Sequence, residues 1–467
     1  MNAIIESLES IVGPGGILTG EDVAGRSDTW PPTGGCRATA IVRPGTTEEV
    51  SRVLKVCHAQ NQPVVTHGGV TGLVGGAVTA PNEIVLSLER MNRMEPIDQI
   101  NRTVTVDAGV PLQKVQEAAE QANLLFPLDL GARGSATIGG NISTNAGGNG
   151  VIRYGMMRDQ LLGLEAVLAD GTIISSMNNV IKNNTGYDLK QLFAGSEGTL
   201  GIITRAVLRL RPLPRSQNTA FVAIPGFTEL AQFLQTMDSA LGGTLSAFEV
   251  MWNDFYTLTI GDGSRHGTPL EMSHPFYVLL ESAGGDAGSD GVRFENALQE
   301  AFDQSLIVDA VIAQSKQQRS DLWGIRDDVE RLFESLYPPV AFDISLSIPD
   351  MDDYVRQVRE LLEREWPNGK MVAFGHLGDG NIHLVIGVGS MEPETVHAVE
   401  NIVYGELARR KGIISAEHGI GLAKKAFLGH SRSAEEIVLM KTIKSAMDPQ
   451  NILNPGKILD MSQQEQT

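Results

Sequence analysis

Apolar positions recur with two different periods along the first two hundred residues, and the alternation of those periods predicts the elements. Val50, Val53, Leu54 and Cys57 stand at helical spacing behind Thr46-Thr47-Glu48-Glu49, which can form a capping box, so a helix is expected there. Leu112, Val115, Ala119 and Ala122 mark a second helix. Short β-branched runs read as strands: Pro63-Val64-Val65-Thr66, Glu83 to Leu88, and Thr103 to Val106. Together these describe a mixed α/β or α+β domain. The segment RLRPLPRSQN (209–218), with its prolines and basic residues, reads as a domain boundary. Beyond it, Phe342, Ile344, Leu346 and Ile348 alternate with Asp343, Ser345 and Ser347, a half-buried strand with three polar groups on one face. A closing helix is expected to open at Ser433-Ala434-Glu435-Glu436.

Length sharpens this picture, since 467 residues exceed what one core usually supports and call for two or three domains. A net charge of −19 argues against nucleic acid as a partner, because phosphate binding needs a basic surface. A small anionic substrate then needs local positive charge from Arg, Lys or a metal. The two cysteines are too few for four-cysteine iron–sulfur ligation. Cys36 and Cys57 lie outside any C-x-x-C arrangement, and a disulfide between them stays open. No apolar run approaches the ~18 residues that span a bilayer. The acidic opening MNAIIESLESI lacks a basic n-region, so a cytoplasmic location without a membrane span is expected.

The chain has 51 glycines, and they are clustered. THGGVTGLVGGA (66–77) follows a predicted strand; positions without side chains let backbone N–H groups surround an anion such as a pyrophosphate. Its spacing is neither the Rossmann fingerprint nor a P-loop, and a tight turn explains it equally well. GSATIGGNISTNAGGNGVIRYG (134–155) and AGSEGTLGIITRAVLRL (194–210) repeat the character. Such segments bury little apolar area, so packing explains them poorly. Three backbone-rich loops in one domain point to one large polar cofactor threaded through it.

A different chemistry is concentrated in FGHLGDGNIHLVI (374–386). Two predicted strands flank Gly378-Asp379-Gly380, so His376 and His383 can approach each other across a hairpin. Two imidazoles suit a borderline divalent metal such as zinc, and Glu417 in the later AEHGIG stretch can supply a third ligand. Three protein ligands leave an open position, as catalytic sites do. Two ordinary polar residues at a strand–turn junction are the plainer alternative. His418 neighbours Glu417 but points elsewhere in an extended segment, and a neutral imidazole near pH 7 is a suitable proton acceptor.

THGGVTGLVGGA, PLDLGARGSATIGGNISTNAGG, IKNNTGYDLKQLFAGSEGTLGIIT, GHLGDGNIH, AEHGIG and NILNPGK, in that order, resemble the FAD-binding family of vanillyl-alcohol-oxidase (PCMH) type. More narrowly, they resemble its branch of D-lactate, glycolate and D-2-hydroxyglutarate dehydrogenases. The resemblance implies an α+β chain: a bipartite FAD-binding domain over 1–214, an α+β substrate or cap domain over 215–414, and a C-terminal segment, 415–467, returning to the flavin site. It implies pyrophosphate contacts from Gly68, Gly69, Thr71 and Gly72, in a loop shared with Thr66, His67, Val70 and Leu73. It implies flavin and ribityl contacts from the segment 135–148, with Ser135, Thr137, Ile138, Gly139, Gly140, Asn141, Ser143, Thr144, Asn145, Gly147 and Gly148, and further cofactor contacts from Pro127 and Asp129. Adenosine-side contacts fall near Gly198 and Ile203, with further cofactor contacts from Glu197 and Asn454. Some relatives attach FAD through a histidine where this chain has Val70, and His67 lies three residues earlier, so non-covalent FAD is expected.

For the chemistry, the resemblance implies zinc or a similar ion on His376, His383 and Glu417, with His418 as catalytic base. Arg326 in LWGIRDDVE takes the position of an arginine for the substrate carboxylate, so Arg326, His376 and His383 are the expected substrate-binding positions. A solvated helix arginine paired with Asp327 or a neighbouring acid is the alternative for Arg326. The implied reaction is oxidation of a D-2-hydroxy acid to the 2-oxo acid, with hydride passing to flavin N5. A soluble acceptor such as an electron-transfer flavoprotein would take the electrons, and a homodimer is expected.

Two positions depart from the hydroxyglutarate pattern: Ala341 stands where such members carry a lysine, and Val385 where they carry an asparagine. Both changes favour a monocarboxylic or bulkier apolar hydroxy acid. The rival readings are a metal-independent flavin oxidase of another alcohol, a non-redox flavin transferase of the alkyl-glycerone-phosphate synthase type, and a flavin- or metal-binding regulatory protein.

Overall fold

The structure, a computed structural model, describes residues 2–30, 32 and 34–461. The chain forms two compact units. Residues 1–148, 155–213 and 417–467 make the first; residues 149–154 and 214–416 make the second.

The first unit contains two four-stranded sheets. In one, β1 (Ile17–Thr19), β2 (Ala40–Val42), β3 (Val64–His67) and β4 (Ile84–Ser87) lie in the order β1-β2-β4-β3. β2, β4 and β3 run parallel, and β1 is antiparallel on β2. Parallel neighbours need a crossover, and the helix Thr47–Ala59 supplies the one between β2 and β3. Val50, Val53, Leu54 and Cys57 on its inner face are fully buried. Thr46 caps it by accepting from Glu49 N at 3.2 Å. The Glu49 carboxylate reaches Gly45 N, one residue before the position a capping box requires.

The second sheet starts with β5 (Thr103–Asp107). After the short β6 (Leu124–Leu125) come β7 (Leu161–Val167), β8 (Ile173–Ser176) and β9 (Ile202–Arg209), and β10 (Arg211–Pro212) returns to pair with β6. The order is β5-β9-β7-β8, all antiparallel. The helix Leu112–Gln121 buries Leu112, Val115 and Ala119; Ala122 is its C-cap. The disulfide left open by the sequence does not form: Cys36 and Cys57 are both free and buried, and burial pushes the Cys57 thiol up to about 12.

Residues 433–454 tie back into this unit. The helix Ala434–Met447 opens with a complete capping box between Ser433 and Glu436. Lys444, buried near its end, donates to the carbonyls of Thr199 and Leu453 at 2.9 Å and to Asp448. Asn454 N then donates to Val64 O at 2.8 Å, which sets Asn454 beside β3.

The second unit is built on one seven-stranded antiparallel sheet. Its strands are β11 (Ser216–Ile224), β12 (Leu245–Trp252), β13 (Phe276–Gly284), β14 (Asp309–Ile312), β15 (Pro339–Ser345), β16 (Lys370–His376) and β17 (Asn381–Gly387). They lie in the order β14-β11-β13-β12-β16-β17-β15. β15 is shorter than the alternation predicts. Its partner β17 begins at Asn381, so the ladder runs out at Ser345, and Ser347 lies beyond it. The helices Asn253–Ile260, Lys316–Arg326 and Val329–Ser335 cover one sheet face, where Phe221, Met251, Tyr277, Phe374 and Val385 join Phe255, Tyr256, Leu322 and Leu332 in one core. No helix among the described residues is long and apolar enough to cross a membrane.

Candidate active site

In the first unit the three glycine-rich loops converge on one cavity of about 360 Å³. Its walls are largely main chain. Thr66, Gly68, Gly69, Val70, Thr71, Gly72 and Leu73 line it from the loop after β3. Thr137, Gly139, Gly140, Asn141, Ser143, Thr144 and Gly147 line it from the second loop, and Glu197, Gly198 and Ile203 from the third. Asn454, Glu417 and His418 complete the wall from the C-terminal segment.

The loops are too closely packed for side chains where they cross. A Cβ on Gly69 would overlap the Ser135 carbonyl oxygen, and one on Gly139 would stand 2.7 Å from Ala108 Cβ. At Gly72 a Cβ would meet nothing within 4 Å, because that position opens into the cavity. Val70, a β-branched residue, is held at φ 51°, a left-handed conformation such residues rarely adopt.

A network of hydrogen bonds to main-chain groups joins the loops. Asn454 accepts from Thr66 N at 2.9 Å and donates to Glu197 O at 2.6 Å. Glu197 N donates to Ser143 O at 2.8 Å. The Glu197 carboxylate accepts from Ile420 N at 2.7 Å and Gly421 N at 2.9 Å, fixing the turn that follows His418. Burial pushes the Glu197 carboxyl above its ordinary range, and those two N–H groups offset only part of the rise. Glu197, an expected cofactor position, lines the cavity while its carboxylate is spent on the His418 turn.

Seven expected cofactor positions do not line this cavity: His67, Pro127, Asp129, Ser135, Ile138, Asn145 and Gly148. His67 turns away, with Nε2 2.8 Å from Ala77 O, and burial holds its imidazole below the ordinary histidine range. Asp129 pairs with Arg133 at 2.8 Å, and Asn145 accepts from Arg158 N at 3.0 Å. Ile138 is buried in the core. Conversely, Gly76, Ala77, Leu130, Gly131, Ala132 and Gly201 line the cavity without having been singled out. The first two end the first glycine run, and Gly131 and Ala132 sit in the quoted PLDLGARG stretch, so the signal was present but spread over too many positions.

A large polar cofactor fits this wall. Buried Thr137 Oγ1 and Asn141 Nδ2, with Thr66 Oγ1, have no hydrogen-bond partner among the described residues, and all three residues line the cavity. Burying such atoms unpaired costs roughly 1–3 kcal/mol each. The combination of glycine cradle and unsatisfied polar groups is that of a dinucleotide site.

In the second unit the polar groups are set by strand register. His376 lies opposite Glu249 on β12 and Asn381 on β17; His383 lies opposite Phe374 on β16 and Asp343 on β15. Side chains two apart on a strand share a face, so Glu249, His376, His383 and Asp343 all project from the same side of the sheet. Gly380, at φ 83°, closes the connection between β16 and β17. The Nε2 atoms of His376 and His383 are 3.4 Å apart. Two imidazoles on one tetrahedral ion, at ~2.0–2.1 Å each, place their nitrogens roughly 3.3 Å apart. The pair therefore has the spacing of a metal chelate.

Glu249, missed in the sequence because it lies 127 residues from His376, is fully buried beneath this pair. One oxygen is 2.7 Å from His376 Nδ1, and the other accepts from Arg326 Nε at 2.7 Å. Burial pushes the Glu249 carboxyl up, but His376 and Arg326 outweigh it and hold the group below its ordinary range. Arg326 is buried, not a solvated helix arginine, although one Nη does stand 3.6 Å from Asp327 Oδ1. Its guanidinium lies over the Phe374 ring at 5.3 Å, and an Nη is 3.4 Å from His376 Nε2.

A cofactor cradle made of main chain defines a dinucleotide-binding protein in outline. Comparisons with known proteins make that particular. Residues 38–176 match the FAD binding domain model, and residues 213–458 match the model for FAD linked oxidases, C-terminal domain. The mitochondrial D-2-hydroxyglutarate dehydrogenase of Rattus norvegicus is 40% identical over 91% of this chain and 78% of its own length. A putative mitochondrial D-lactate dehydrogenase of Schizosaccharomyces pombe is 40% identical over 89% of this chain and 81% of its own. The solved structure of p-cresol methylhydroxylase covers 98% of this chain and 96% of its own with a TM-score of 0.78; at 15% identity it speaks to the fold alone. The chain belongs to the FAD-linked oxidase family, beside the D-2-hydroxyglutarate and D-lactate dehydrogenases, and is a flavin-dependent oxidoreductase.

Proposed function

We propose that the protein oxidises a D-2-hydroxy acid to the 2-oxo acid with the help of a divalent ion, zinc by its donor set. The observation that carries this reading is the His376–His383 pair, with nitrogens 3.4 Å apart and Arg326 beside them. His376, His383 and Glu417 are the residues that would hold the ion. Bound FAD supplies a hydride acceptor and the ion supplies a Lewis acid for the hydroxyl oxygen. Arg326, its guanidinium oriented by Glu249, receives the substrate carboxylate. His418 accepts the hydroxyl proton. Alignment of these groups is the protein's own contribution to the rate.

In this reading the substrate is monocarboxylic or carries an apolar side chain. Ala341 and Val385 face each other across β15 and β17, on the same side of the sheet as His383. Neither offers a charge or a donor to a second carboxylate. Electrons leave to a soluble acceptor such as an electron-transfer flavoprotein.

The test is an anaerobic visible spectrum of the FAD-loaded protein during addition of D-2-hydroxy acids. Bleaching by D-lactate or a longer alkyl homologue at lower concentration than by D-2-hydroxyglutarate is the expected result. A yellow, zinc-containing protein that none of them bleaches would reject the reaction. Bleaching that survives complete removal of divalent metal would reject the metal and favour the metal-independent oxidase.

A further inference from the structure

Two buried carboxylates on one face of the seven-stranded sheet hold the same helix. Glu281 accepts from Arg319 Nε at 2.6 Å and an Arg319 Nη at 3.1 Å, and also from Trp323 Nε1 and Thr219 Oγ1. Glu249 accepts from Arg326 Nε at 2.7 Å. Arg319 and Arg326 are seven residues apart on the helix Lys316–Arg326, about two turns, so both reach the sheet from one side. Anchoring the helix accounts for Glu281 completely. It leaves one feature of Glu249 without a reason: its second oxygen, 2.7 Å from His376 Nδ1.

We propose that Glu249 is a positioning residue on which both arms of the site converge: one oxygen fixes His376 as a metal ligand, and the other orients Arg326 and offsets its charge. The inference rests on the metal reading above. The chemistry on the His376 side is that of a carboxylate–histidine–metal relay. A proton on Nδ1, donated to Glu249, leaves the lone pair on Nε2, the nitrogen that faces His383. The chemistry on the Arg326 side is electrostatic. An Arg326 Nη stands 3.4 Å from the same Nε2, and a guanidinium offset only by the half-exposed Asp327, 3.6 Å from its other Nη, would repel a divalent ion. The buried Glu249 charge makes the two compatible. A carboxylate removed from water is costly, and an apolar residue of similar size would pack as well. Its presence is explained by what it orients.

The experiment compares the FAD-loaded wild type with Glu249→Gln and Glu281→Gln. Zinc affinity is read by competition with a chromophoric chelator, and KM and kcat for the best hydroxy acid are measured at saturating zinc. Glutamine at 249 can accept from only one partner and turns a donor toward the other. Its zinc affinity is expected to fall roughly 10–100-fold. KM is expected to rise about tenfold even when zinc is saturating, because Arg326 also loses its orientation, by the same order a lost charge-assisted bond produces. Glu281→Gln is expected to lower the melting temperature while leaving zinc affinity within about twofold, since it holds only the helix. If Glu249→Gln does not accumulate folded, Glu249→Asp replaces it with the same expected loss, because one methylene less cannot reach both partners. Wild-type zinc affinity in the folded 249 variant overturns the inference, and so does an equal loss in Glu281→Gln. A wild type that is bleached by hydroxy acid but binds no divalent ion overturns the metal reading beneath it instead.

Discussion

The two units present their chemistry in opposite ways. In the first, the cavity is walled by main chain, and the residues that matter are those with little or no side chain: Gly68, Gly69, Gly139 and Gly140. In the second, the chemistry stands on side chains, and the main chain is only a ruler that sets Glu249, His376 and His383 on one sheet face. A cofactor rich in phosphate and ring edges is recognised by many N–H groups at once, each individually weak. A metal and a carboxylate are recognised by a few charged groups whose placement must be accurate. The first unit is therefore sensitive to added volume, and the second to altered charge.

The sharpest way to break this contrast is to add one methyl group to the first unit at two places. In Gly69→Ala the new Cβ overlaps the Ser135 carbonyl, which is backbone and cannot step aside. The expected loss is upward of about 3 kcal/mol of stability, with little folded flavoprotein recovered. In Gly72→Ala the Cβ enters open cavity space. The fold should survive with an unchanged melting temperature for the flavin-free protein, and FAD affinity should drop. Equal behaviour of the two variants in thermal melts would show that packing density does not govern this wall.

The matching change in the second unit is His383→Ala. It removes an imidazole and leaves the glycine loops untouched. Turnover should fall at least about 100-fold, the loss of a Lewis acid being worth several kcal/mol, while the flavin absorbance stays at wild-type level. Zinc content by atomic emission should fall with the turnover. Loss of flavin instead would mean that the two chemistries are not separable.

Glu197 sits where the contrast is least clean, a charged side chain serving a main-chain wall. Burial raises its folded carboxyl pKa above the unfolded value, so the folded state keeps a proton that the unfolded state has released. Stability is then highest at acid pH and falls as pH rises from the ordinary carboxylate range, about 4.3, through the raised folded value. Glu197→Gln cannot ionise and lacks this slope. The wild type should lose melting temperature relative to the variant between pH 4 and pH 7. Activity should move the other way, the variant being slower by roughly tenfold at neutral pH, because one of the Ile420 and Gly421 N–H bonds behind His418 is lost. Parallel melting curves across that range would show that burial does not raise the Glu197 carboxyl.

What the sequence made legible follows the same division. The glycine loops announce themselves because main-chain chemistry is local: a run such as THGGVTGLVGGA is visible without knowing what lies opposite. Within the second loop, Thr137 and Asn141 face the cavity while Ile138 and Asn145 do not, a distinction that depends on backbone turns no periodicity reports. His376 and His383 were legible as a pair because a hairpin keeps them near in sequence. Glu249 was not, since only the register of β12 against β16 brings it to His376. The task of the Glu197 carboxylate was likewise not legible, because its partners Ile420 and Gly421 are more than two hundred residues away.

The smallest expected effect concerns which acid the second unit prefers, and it is the change that most nearly leaves both architectures intact. Ala341 and Val385 are cross-strand neighbours, but their surroundings differ: Ala341 is exposed, and Val385 is 2% exposed within the apolar core beside Phe374. An asparagine at 385 would bury an amide with no partner assured, at roughly 1–3 kcal/mol of stability. A lysine at 341 buries nothing and can extend its ammonium from the strand. Ala341→Lys alone should therefore lower KM for D-2-hydroxyglutarate about tenfold, the worth of one charge-assisted contact less the side-chain ordering it requires. KM for D-lactate should stay within about twofold, and the melting temperature should not move. Adding Val385→Asn should bring a further gain in discrimination only together with a lower melting temperature. If Ala341→Lys leaves both KM values unchanged, the second carboxylate is not directed at this end of β15, and selectivity has to be sought on the Arg326 side of the same sheet face.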